Sequence, residues 1–204
     1  MQKTSMTNNK KRNALDQRDS MRKSILIAFE ELLKEAPYSE IGVNRICTVA
    51  HISKPTFYRY FQSKEEIVCW LSKEAVRCGV AEVGRKYNWH QAYYRTLKVI
   101  DRYRGFYTDP KGPAFTNPYN TFCGEYFKLM LFETLTQHKG IIITKKLSFQ
   151  IDTFVQMQGY LLQQWGAREM PITEEVYAEH LTSVVPHDLY LALAEPTDFV
   201  IRQR

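Results

Sequence analysis

The stretch that decides the fold is residues 43–68, with the sequence VNRICTVAHISKPTFYRYFQSKEEIV. Its second part, Ser53–Ile67, places four aromatic residues, three basic residues and a proline within fifteen positions. An ordinary core helix does not carry rings and a cation in one unbroken run, and a fully solvated helix face does not carry so many rings. The run Tyr58–Phe61 therefore indicates a surface on which tyrosines and cations lie side by side.

The pattern of this stretch predicts a helix, a tight turn and a second helix. The first helix is predicted over Val43–Ala50, with Gly42 as a permissible cap. Residues 51–53 are too few for anything but a turn. Ser53 can cap the next helix, and Pro55 falls in its first turn, where backbone N–H groups lack partners and a proline is tolerated.

Helices are also predicted on both sides of this pair. Upstream, an apolar stripe starts near Asp19 and ends before Pro37, which fits a helix stop. Downstream, Ser63 and Glu66 have the spacing of a capping box, and the helix that they start is predicted to run to about Gly84. The upstream stripe consists of Ile25, Ala28, Phe29, Leu32, Leu33 and Ala36.

Helix, short turn and short helix is the layout of a helix-turn-helix, whose second helix enters the major groove of DNA. The first residues of that helix meet base edges, and hydroxyl or guanidinium groups along its flanks reach phosphates. Phe57 and Phe61 are predicted to be buried against neighbouring helices. The candidate DNA-contacting residues are Asn44, Arg45, Ser53, Lys54, Pro55, Thr56, Tyr58, Arg59, Tyr60 and Lys64.

The net charge of +6 lies entirely in the first third of the chain. Residues 1–64 hold 12 Lys and Arg against 6 Asp and Glu, whereas residues 65–204 hold 16 of each sign. A basic lobe on a neutral body is the charge distribution of a protein that binds a polyanion. A basic N-terminal tail explains only part of the excess, because Arg45, Lys54 and Lys64 lie outside it.

The remaining sequence also predicts helices, and it contains no convincing β-hairpin signal. Pro and Gly mark the breaks between the predicted helices. The apolar segment Gly140–Ile143 is predicted to be the buried start of a helix. The predicted helices cover residues 88–104, 122–138, 145–165, 174–185 and 187–194.

The stretch at residues 43–68 closely resembles the helix-turn-helix of the tetracycline-repressor (TetR/AcrR) family of bacterial regulators. The matching features are the I-x-x-x-A pattern at Ile46–Ala50, Ser53, the block Tyr58–Phe61 and the run Ser63–Glu66 in register behind it. The resemblance covers residues 19–84. Across the later helices it extends only to length and helical character.

Two positions depart from the usual pattern of this family. Gly42 stands where the family usually has serine or threonine as a cap. His51 stands where it usually has glycine, at a position that often takes positive φ. Because histidine is among the non-glycine residues enriched at positive φ, we expect a mildly strained turn and an intact motif.

The resemblance implies an all-α protein with two domains. An N-terminal three-helix helix-turn-helix DNA-binding domain with its linking helix would occupy residues 19–84, after a mobile basic tail at residues 1–18. Residues 85–204 would form a helical effector-binding and dimerisation domain. The implied protein is a cytoplasmic homodimer that binds a palindromic double-stranded DNA operator as a repressor and is released by a ligand. The alternative is a co-activator of the same fold that acts through a protein partner.

Aromatic residues are dense between residues 87 and 130. Because tyrosine adds a polar end to an apolar wall, this density suits a pocket for a small aromatic or amphipathic effector. A tyrosine-rich core explains the density equally well. The candidate pocket residues are Tyr93, Tyr103, Phe106, Tyr107, Phe122, Tyr126, Met130 and Phe154.

Apolar stripes on the helices predicted at 145–165 and 174–185 are candidates for a dimer interface. Two such helices from each subunit can pair as a four-helix bundle. The alternative is that both stripes belong to the core of one chain. The candidate interface residues are Phe154, Leu161, Leu162, Trp165, Tyr177, Leu181 and Val184.

Nothing in the sequence predicts an enzyme, a cofactor or a metal site. It contains no G-x-S-x-G, P-loop, H-E-x-x-H or dinucleotide fingerprint, and its 5 histidines are scattered. The 4 cysteines lack metal-ligand spacing, which indicates reduced thiols in a cytosolic protein. No apolar run approaches the roughly 18 residues of a membrane span, so no membrane association is expected.

Overall fold

The computed structural model describes residues 20–112, 117–167 and 172–194, and for residues 117–121 it describes the backbone alone. The basic tail predicted at residues 1–18 lies outside the described residues. Every named element in the described part of the chain is a helix, and no strand occurs there. The predicted all-α fold is therefore confirmed.

The chain divides into two compact units, of which the first ends at Ile67 and the second begins at Val68. The dividing point lies within a helix, α4, which covers Lys64–Cys78. The domain boundary predicted after residue 84 stays a prediction, because a compact unit is defined by contacts and a domain by its ability to fold alone.

The first unit consists of α1, α2, α3 and the beginning of α4. α1 covers residues 20–35, α2 covers Val43–Val49 and α3 covers Lys54–Tyr60. The stripe predicted on α1 is buried from Ile25 to Leu33, and Phe57 of α3 is fully buried as well. Burial of these apolar residues is the main source of stability for such a small helical unit.

The second unit contains the rest of α4 and five further α-helices in the described part of the chain, close to the predicted ranges. No helix there is long and apolar enough to cross a membrane. A π-helical turn at Thr134–His138 extends α6, and short 3₁₀ turns follow α4 and α5. The five helices are α5 (Trp89–Arg102), α6 (Asn117–Glu133), α7 (Lys145–Gly166), α8 (Glu174–Ser183) and α9 (His187–Leu193).

The prediction for Gly140–Ile143 is wrong. These residues form an irregular connection, and Ile142 is 86% exposed rather than buried. α7 begins only at Lys145, because Thr144 has extended backbone angles and its hydroxyl caps the helix. An apolar composition over four residues does not distinguish an exposed connection from a buried helix start.

α4 and α5 approach each other closely at Gly79. Thr96 Oγ1 on α5 accepts a hydrogen bond of 3.2 Å from the N–H of Val80 and donates one of 3.3 Å to the carbonyl of Ala75. A Cβ at position 79 would lie 2.1 Å from Thr96 Oγ1 and 2.4 Å from the carbonyl oxygen of Ala92. Only glycine permits this close contact, which holds the end of α4 against α5.

Candidate nucleic-acid interface

The turn between α2 and α3 is closed by backbone hydrogen bonds and contains one residue with positive φ. The N–H of Ile52 donates to the carbonyl of Cys47 at 3.0 Å, and that of His51 donates to the carbonyl of Thr48 at 3.2 Å. His51 has a φ of 54°, and it is the only non-glycine residue with positive φ in the described part of the chain. The positive φ expected at His51 is therefore confirmed, and the strain that it implies stays a prediction.

The first turn of α3 is held by Ser53. Its hydroxyl oxygen accepts a hydrogen bond of 3.3 Å from the N–H of Thr56, as predicted for the cap. The two hydroxyl groups of Ser53 and Thr56 also lie 2.9 Å apart. Lys54 and Pro55 lie in the exposed first turn beside them. The start of α3 therefore offers a cation, an apolar ring and a pair of ordered hydroxyls.

The aromatic run divides between the two faces of α3. Phe57 and Phe61 are 0% and 2% exposed, and their ring centroids lie 6.1 Å apart. Tyr58 is 52% exposed. Arg59 is also exposed, and its guanidinium carbon lies 5.8 Å from the centroid of the half-buried Tyr60 ring. The phenylalanines anchor the helix, and hydroxyl and guanidinium groups face outward.

α2 contributes Asn44 and Arg45, which are both exposed. Arg45 Nη2 donates a hydrogen bond of 3.0 Å to the carboxylate of Glu35 at the end of α1, which is exposed as well. Because such an exposed pair contributes at most about 1 kcal/mol, the guanidinium can exchange Glu35 for a phosphate at little cost.

Lys64 lies at the beginning of α4 and is held by Tyr38, a residue to which the sequence assigned no role. Lys64 Nζ donates to the backbone carbonyl of Tyr38 at 2.9 Å, and Tyr38 Oη donates to the carboxylate of Glu65 at 3.0 Å. Partial burial of Glu65 acts to raise its pKa. Hydrogen bonds from Ser63, from the Glu65 backbone and from Tyr38 act in the opposite direction, as does the charge of Lys64, and the pKa of Glu65 is lowered below its ordinary value. No short-range pattern links Tyr38 to Lys64, because 26 positions separate them.

The capping box predicted for α4 is replaced by a related contact. Glu66 accepts a hydrogen bond from the backbone N–H of Gln62 at 2.5 Å, one residue before the position that the box requires. Ser63 instead hydrogen-bonds Glu65. The helix start was predicted correctly, but the hydrogen-bond partners differ from those of a capping box.

The residues predicted for an effector pocket lie in the second unit, where they divide between buried and half-buried positions, and the pocket itself stays a prediction. Tyr93, Tyr103, Phe106, Tyr107 and Phe154 are buried. Phe122, Tyr126 and Met130 are half-buried, and the Lys73 ammonium lies 4.9 Å from the Phe122 ring centroid and 5.8 Å from that of Tyr126. Tyr107 lines a cavity of about 60 Å³ together with Cys123.

The residues predicted for a dimer interface divide between core and surface. Phe154, Trp165, Tyr177 and Leu181 are at most 2% exposed within the single chain. Tyr177 stacks on Trp165 with ring centroids 6.0 Å apart, and its hydroxyl donates to the carbonyl of Leu161 at 2.7 Å. Leu161 and Leu162 are half-buried, and Val184 is 43% exposed. The four buried residues belong to the core of the single chain, and a dimer interface at Leu161, Leu162 and Val184 stays a prediction.

Residues 25–68 match a family model described as bacterial regulatory proteins, tetR family. The matched range contains α2, the turn, α3 and the first residues of α4. It therefore includes every candidate DNA-contacting residue.

Curated relatives match part of the chain. The HTH-type dhaKLM operon transcriptional activator DhaS of Lactococcus lactis is 30% identical over 94 residues, which cover 43% of this chain and 50% of DhaS. The HTH-type transcriptional regulator EthR of Mycobacterium tuberculosis is 38% identical over 66 residues, which cover 32% of this chain and 31% of EthR. The chain thus spans half of the length of these relatives, or less.

Solved structures share the fold over most of the chain. The dihydroxyacetone kinase operon activator DhaS superposes with a TM-score of 0.60 at 19% identity, covering 85% of this chain and 98% of DhaS. The TetR family repressor AlkX from Dietzia sp. strain DQ12-45-1b superposes with a TM-score of 0.57 at 16% identity, covering 84% of this chain and 98% of AlkX. Residues 25–68 therefore carry a helix-turn-helix of the tetR family of bacterial regulatory proteins, and the chain shares its all-α fold with DhaS and AlkX.

Proposed function

We propose that the protein is a sequence-specific DNA-binding transcriptional regulator that acts on a palindromic operator as a homodimer. The division of α3 into a buried phenylalanine face and an exposed face with Lys54, Tyr58 and Arg59 supports this proposal most strongly. A helix anchored on one side, with hydroxyl and cationic groups on the other, fits a major groove that is bordered by phosphates.

The candidate DNA-contacting residues of the motif take two kinds of role in this proposal. Pro55 and Thr56, in the first turn of α3, meet base edges, where an apolar ring suits a thymine methyl group and a hydroxyl can donate or accept. Tyr58, Arg59 and Tyr60 bind phosphates along the helix. Asn44, Arg45 and Lys64 extend these contacts from α2 and α4. Because phosphate contacts release counterions, salt weakens the complex steeply.

We propose that the second subunit covers an exposed apolar stripe on α7. Phe149, Met157 and Tyr160 are 72%, 36% and 61% exposed, and their spacing places them on one side of the helix. Large exposed apolar side chains in a row are typical of an interaction surface. Two copies related by a twofold axis would present their α3 helices to half-sites about 34–36 Å apart, or one turn of DNA.

For the direction of regulation, we propose a repressor that is released when a small effector binds within the second unit. The effector must favour the conformation in which the spacing of the two α3 helices does not match the operator. Activation is the second candidate, because one relative, DhaS, is described as a transcriptional activator. A reporter gene placed behind the DNA that lies upstream of the protein's own gene separates these alternatives. Loss of the protein raises transcription of the reporter if the protein is a repressor and lowers it if the protein is an activator.

A mobility-shift assay with the DNA that lies upstream of the protein's own gene tests the proposal. We expect specific retardation that Tyr58→Ala and Lys54→Ala each weaken. Lys86→Ala is the matched control, because Lys86 is a similarly exposed cation outside the helix-turn-helix, with 68% of its side chain accessible. A dimeric protein that fails to retard this DNA at low salt would contradict the proposal and favour a co-activator that acts through a protein partner. Equal affinities of Tyr58→Ala and the unaltered protein would contradict the proposed role of α3.

A further inference from the structure

The outer side of α5 and the beginning of α8 enclose an open pocket of about 490 Å³, called the outer pocket from here on. The described residues that line it lie outside the helix-turn-helix and differ from all those predicted for the effector pocket. A pocket of this size can hold a small organic molecule. The lining residues include Lys86, Tyr87, His90, Tyr94, Arg95 and Glu175.

A tight turn before α5 fixes one edge of the outer pocket. The N–H groups of Lys86 and Tyr87 both donate to the carbonyl of Glu82, at 2.9 and 3.2 Å, and the N–H of Gly84 donates to the carbonyl of Tyr87 at 3.0 Å. Gly84 has a φ of 70°, which glycine adopts without strain. Lys86 and Tyr87 therefore have fixed backbone positions beside the pocket.

Polar contacts between α5 and α8 fix the opposite edge. Lys98 Nζ on α5 donates a hydrogen bond of 3.0 Å to the carboxylate of Glu174. His90 Nε2 lies 3.5 Å from the carboxylate of Glu175 and 3.4 Å from its backbone carbonyl oxygen. Because 61% of the Glu175 side chain is exposed, its negative charge also acts on a molecule in the pocket.

Arg95 gives the outer pocket its binding chemistry. Arg95 is exposed, and its guanidinium carbon lies 4.3 Å from the centroid of the Tyr87 ring, which orients the group. It forms no ion pair with any other described residue. A planar guanidinium can bind an oxyanion at two points through the N–H groups along its edge. Arg95 is therefore positioned to bind an anion from outside the chain.

The charges around the outer pocket favour an anion with a single charge. Lys86 adds a second cation, but its Nζ lies 3.4 Å from the carboxylate of Glu82. Glu175 adds a negative charge on the opposite edge. A carboxylate gains the guanidinium of Arg95, whereas the second negative charge of a phosphate would increase the repulsion from Glu175.

Two tyrosines supply aromatic surface to the pocket. Tyr87 and Tyr94 are both half-buried. Tyr94 follows His90 by one turn of α5, and the ammonium of Lys98 lies 5.4 Å from its ring centroid. Aromatic side chains offer a large apolar contact area to a planar molecule. The outer pocket thus combines a binding group for an oxyanion with aromatic surface beside it.

We propose that the outer pocket binds a small aromatic carboxylic acid, with the carboxylate on Arg95 and the aromatic ring beside Tyr87 and Tyr94. Lys86 adds attraction at longer range, and Glu175 limits the charge of the ligand. The inference goes beyond the proposed function, because it assigns a surface site that binds its ligand whether or not the protein binds DNA.

Fluorine NMR with two probes of nearly equal shape tests this inference. The probes are para-fluorobenzoate, which carries a carboxylate, and para-fluorobenzamide, which carries an uncharged amide in its place. We expect the benzoate to bind the unaltered protein about fivefold more tightly, as for a two-point ion pair at an exposed site. In Arg95→Gln this ratio should fall towards one, because the guanidinium is lost.

Arg102→Gln is the matched control. Arg102 is an exposed arginine on the same helix, its guanidinium carbon lies 5.6 Å from the centroid of the Tyr103 ring, and it does not line the outer pocket. This variant should keep the preference for the benzoate. Because Arg95 is exposed as well, the melting temperatures of both variants should stay close to that of the unaltered protein.

Glu175→Gln tests the charge balance in the opposite direction. Removal of the carboxylate should tighten binding of the benzoate about twofold to threefold and leave binding of the benzamide unchanged. A merely structural role of Glu175 would change the affinities for both probes alike, which would contradict the proposed charge limit.

Equal affinities of the unaltered protein for the two probes, or binding of neither, would overturn the inference. A preference for the benzoate that persists in Arg95→Gln would overturn it as well. A third probe, para-fluorophenyl phosphate, separates the two classes of anion. We expect it to bind more weakly than the benzoate, and tighter binding of this dianion would overturn the assignment to a carboxylic acid.

Discussion

Lys64 Nζ lies 2.9 Å from the backbone carbonyl oxygen of Tyr38 and 4.1 Å from the centroid of the Tyr38 ring. Tyr38 belongs to the short connection between α1 and α2, and Lys64 is the first residue of α4. The contact therefore joins two parts of the first unit that are distant in sequence. Lys64 has a structural role in addition to the phosphate contact proposed for it.

Lys64→Ala should lower both stability and DNA affinity. We expect the free energy of unfolding to fall by about 1–2 kcal/mol, because a charge-assisted hydrogen bond and a cation–π contact are lost together. Urea denaturation and mobility shifts measure the two effects. Lys54→Ala is the control, because Lys54 is exposed, and it should weaken DNA binding with a change in stability within about 0.5 kcal/mol. Equal stabilities of the two variants would contradict a structural role for Lys64.

His51→Gly should stabilise the protein. The φ of 54° at His51 is unfavourable for a residue with a Cβ, and the exposed side chain loses few contacts when it is removed. The relief of about 1–2 kcal/mol is partly offset by the greater freedom of glycine in the unfolded chain, so we expect a net gain of about 0.5–1 kcal/mol. His51→Ala keeps a Cβ and should bring no gain. Urea denaturation measures both, and a loss of stability in His51→Gly would show that the turn is not strained.

Two glycine-to-alanine substitutions should have opposite effects. In Gly79→Ala the new Cβ would meet Thr96 Oγ1 at 2.1 Å and the backbone oxygen of Ala92 at 2.4 Å, so a loss of about 2 kcal/mol or more is expected. A Cβ at Gly159, within α7, has no neighbour within 4 Å, so Gly159→Ala should gain about 0.5–1 kcal/mol from helix propensity. Thermal unfolding compares them. Similar melting temperatures for the two variants would show that α4 can move away from α5.

The thiol of Cys78 should react slowly with iodoacetamide. Burial, together with the Glu74 carboxylate that accepts its hydrogen bond at 3.1 Å, raises the pKa of Cys78 to about 11. At about pH 8 the thiolate fraction is then about 100-fold below that of an ordinary thiol, and it grows as the pH rises towards the raised pKa. Peptide mapping by mass spectrometry follows the rate. Glu74→Gln should speed alkylation, and an unchanged rate in this variant would exclude the carboxylate as a cause.

Phe149→Glu and Tyr160→Glu should convert the proposed dimer into monomers. Both side chains are exposed on α7, and a buried carboxylate without a partner would strongly destabilise an interface there. Light scattering coupled to size-exclusion chromatography measures the mass. Ile142→Glu is the control, because Ile142 is 86% exposed but lies in the connection before α7. A dimer that survives both α7 substitutions would place the interface elsewhere.

Sequence patterns predicted the first unit in detail because its determinants are local. The cap at Ser53, the turn at His51 and the division between Phe57 and Tyr58 all depend on residues within a few positions of each other. Helix period, capping and backbone restrictions act over that distance. The same rules placed the helices of the second unit, and they failed at Gly140–Ile143, where apolar composition carries no information on burial.

The amino-acid sequence alone thus determined the all-α class, the helix-turn-helix and the position of the basic charge. The tertiary structure alone decided which apolar residues of the second unit are core, since Phe154 is buried and Phe149, on the same helix, is exposed. It also decided that Lys64 binds Tyr38 and that His90 contacts Glu175. These features depend on which helices pack together. Contacts between residues that are far apart in the sequence leave no periodic pattern in the amino-acid sequence.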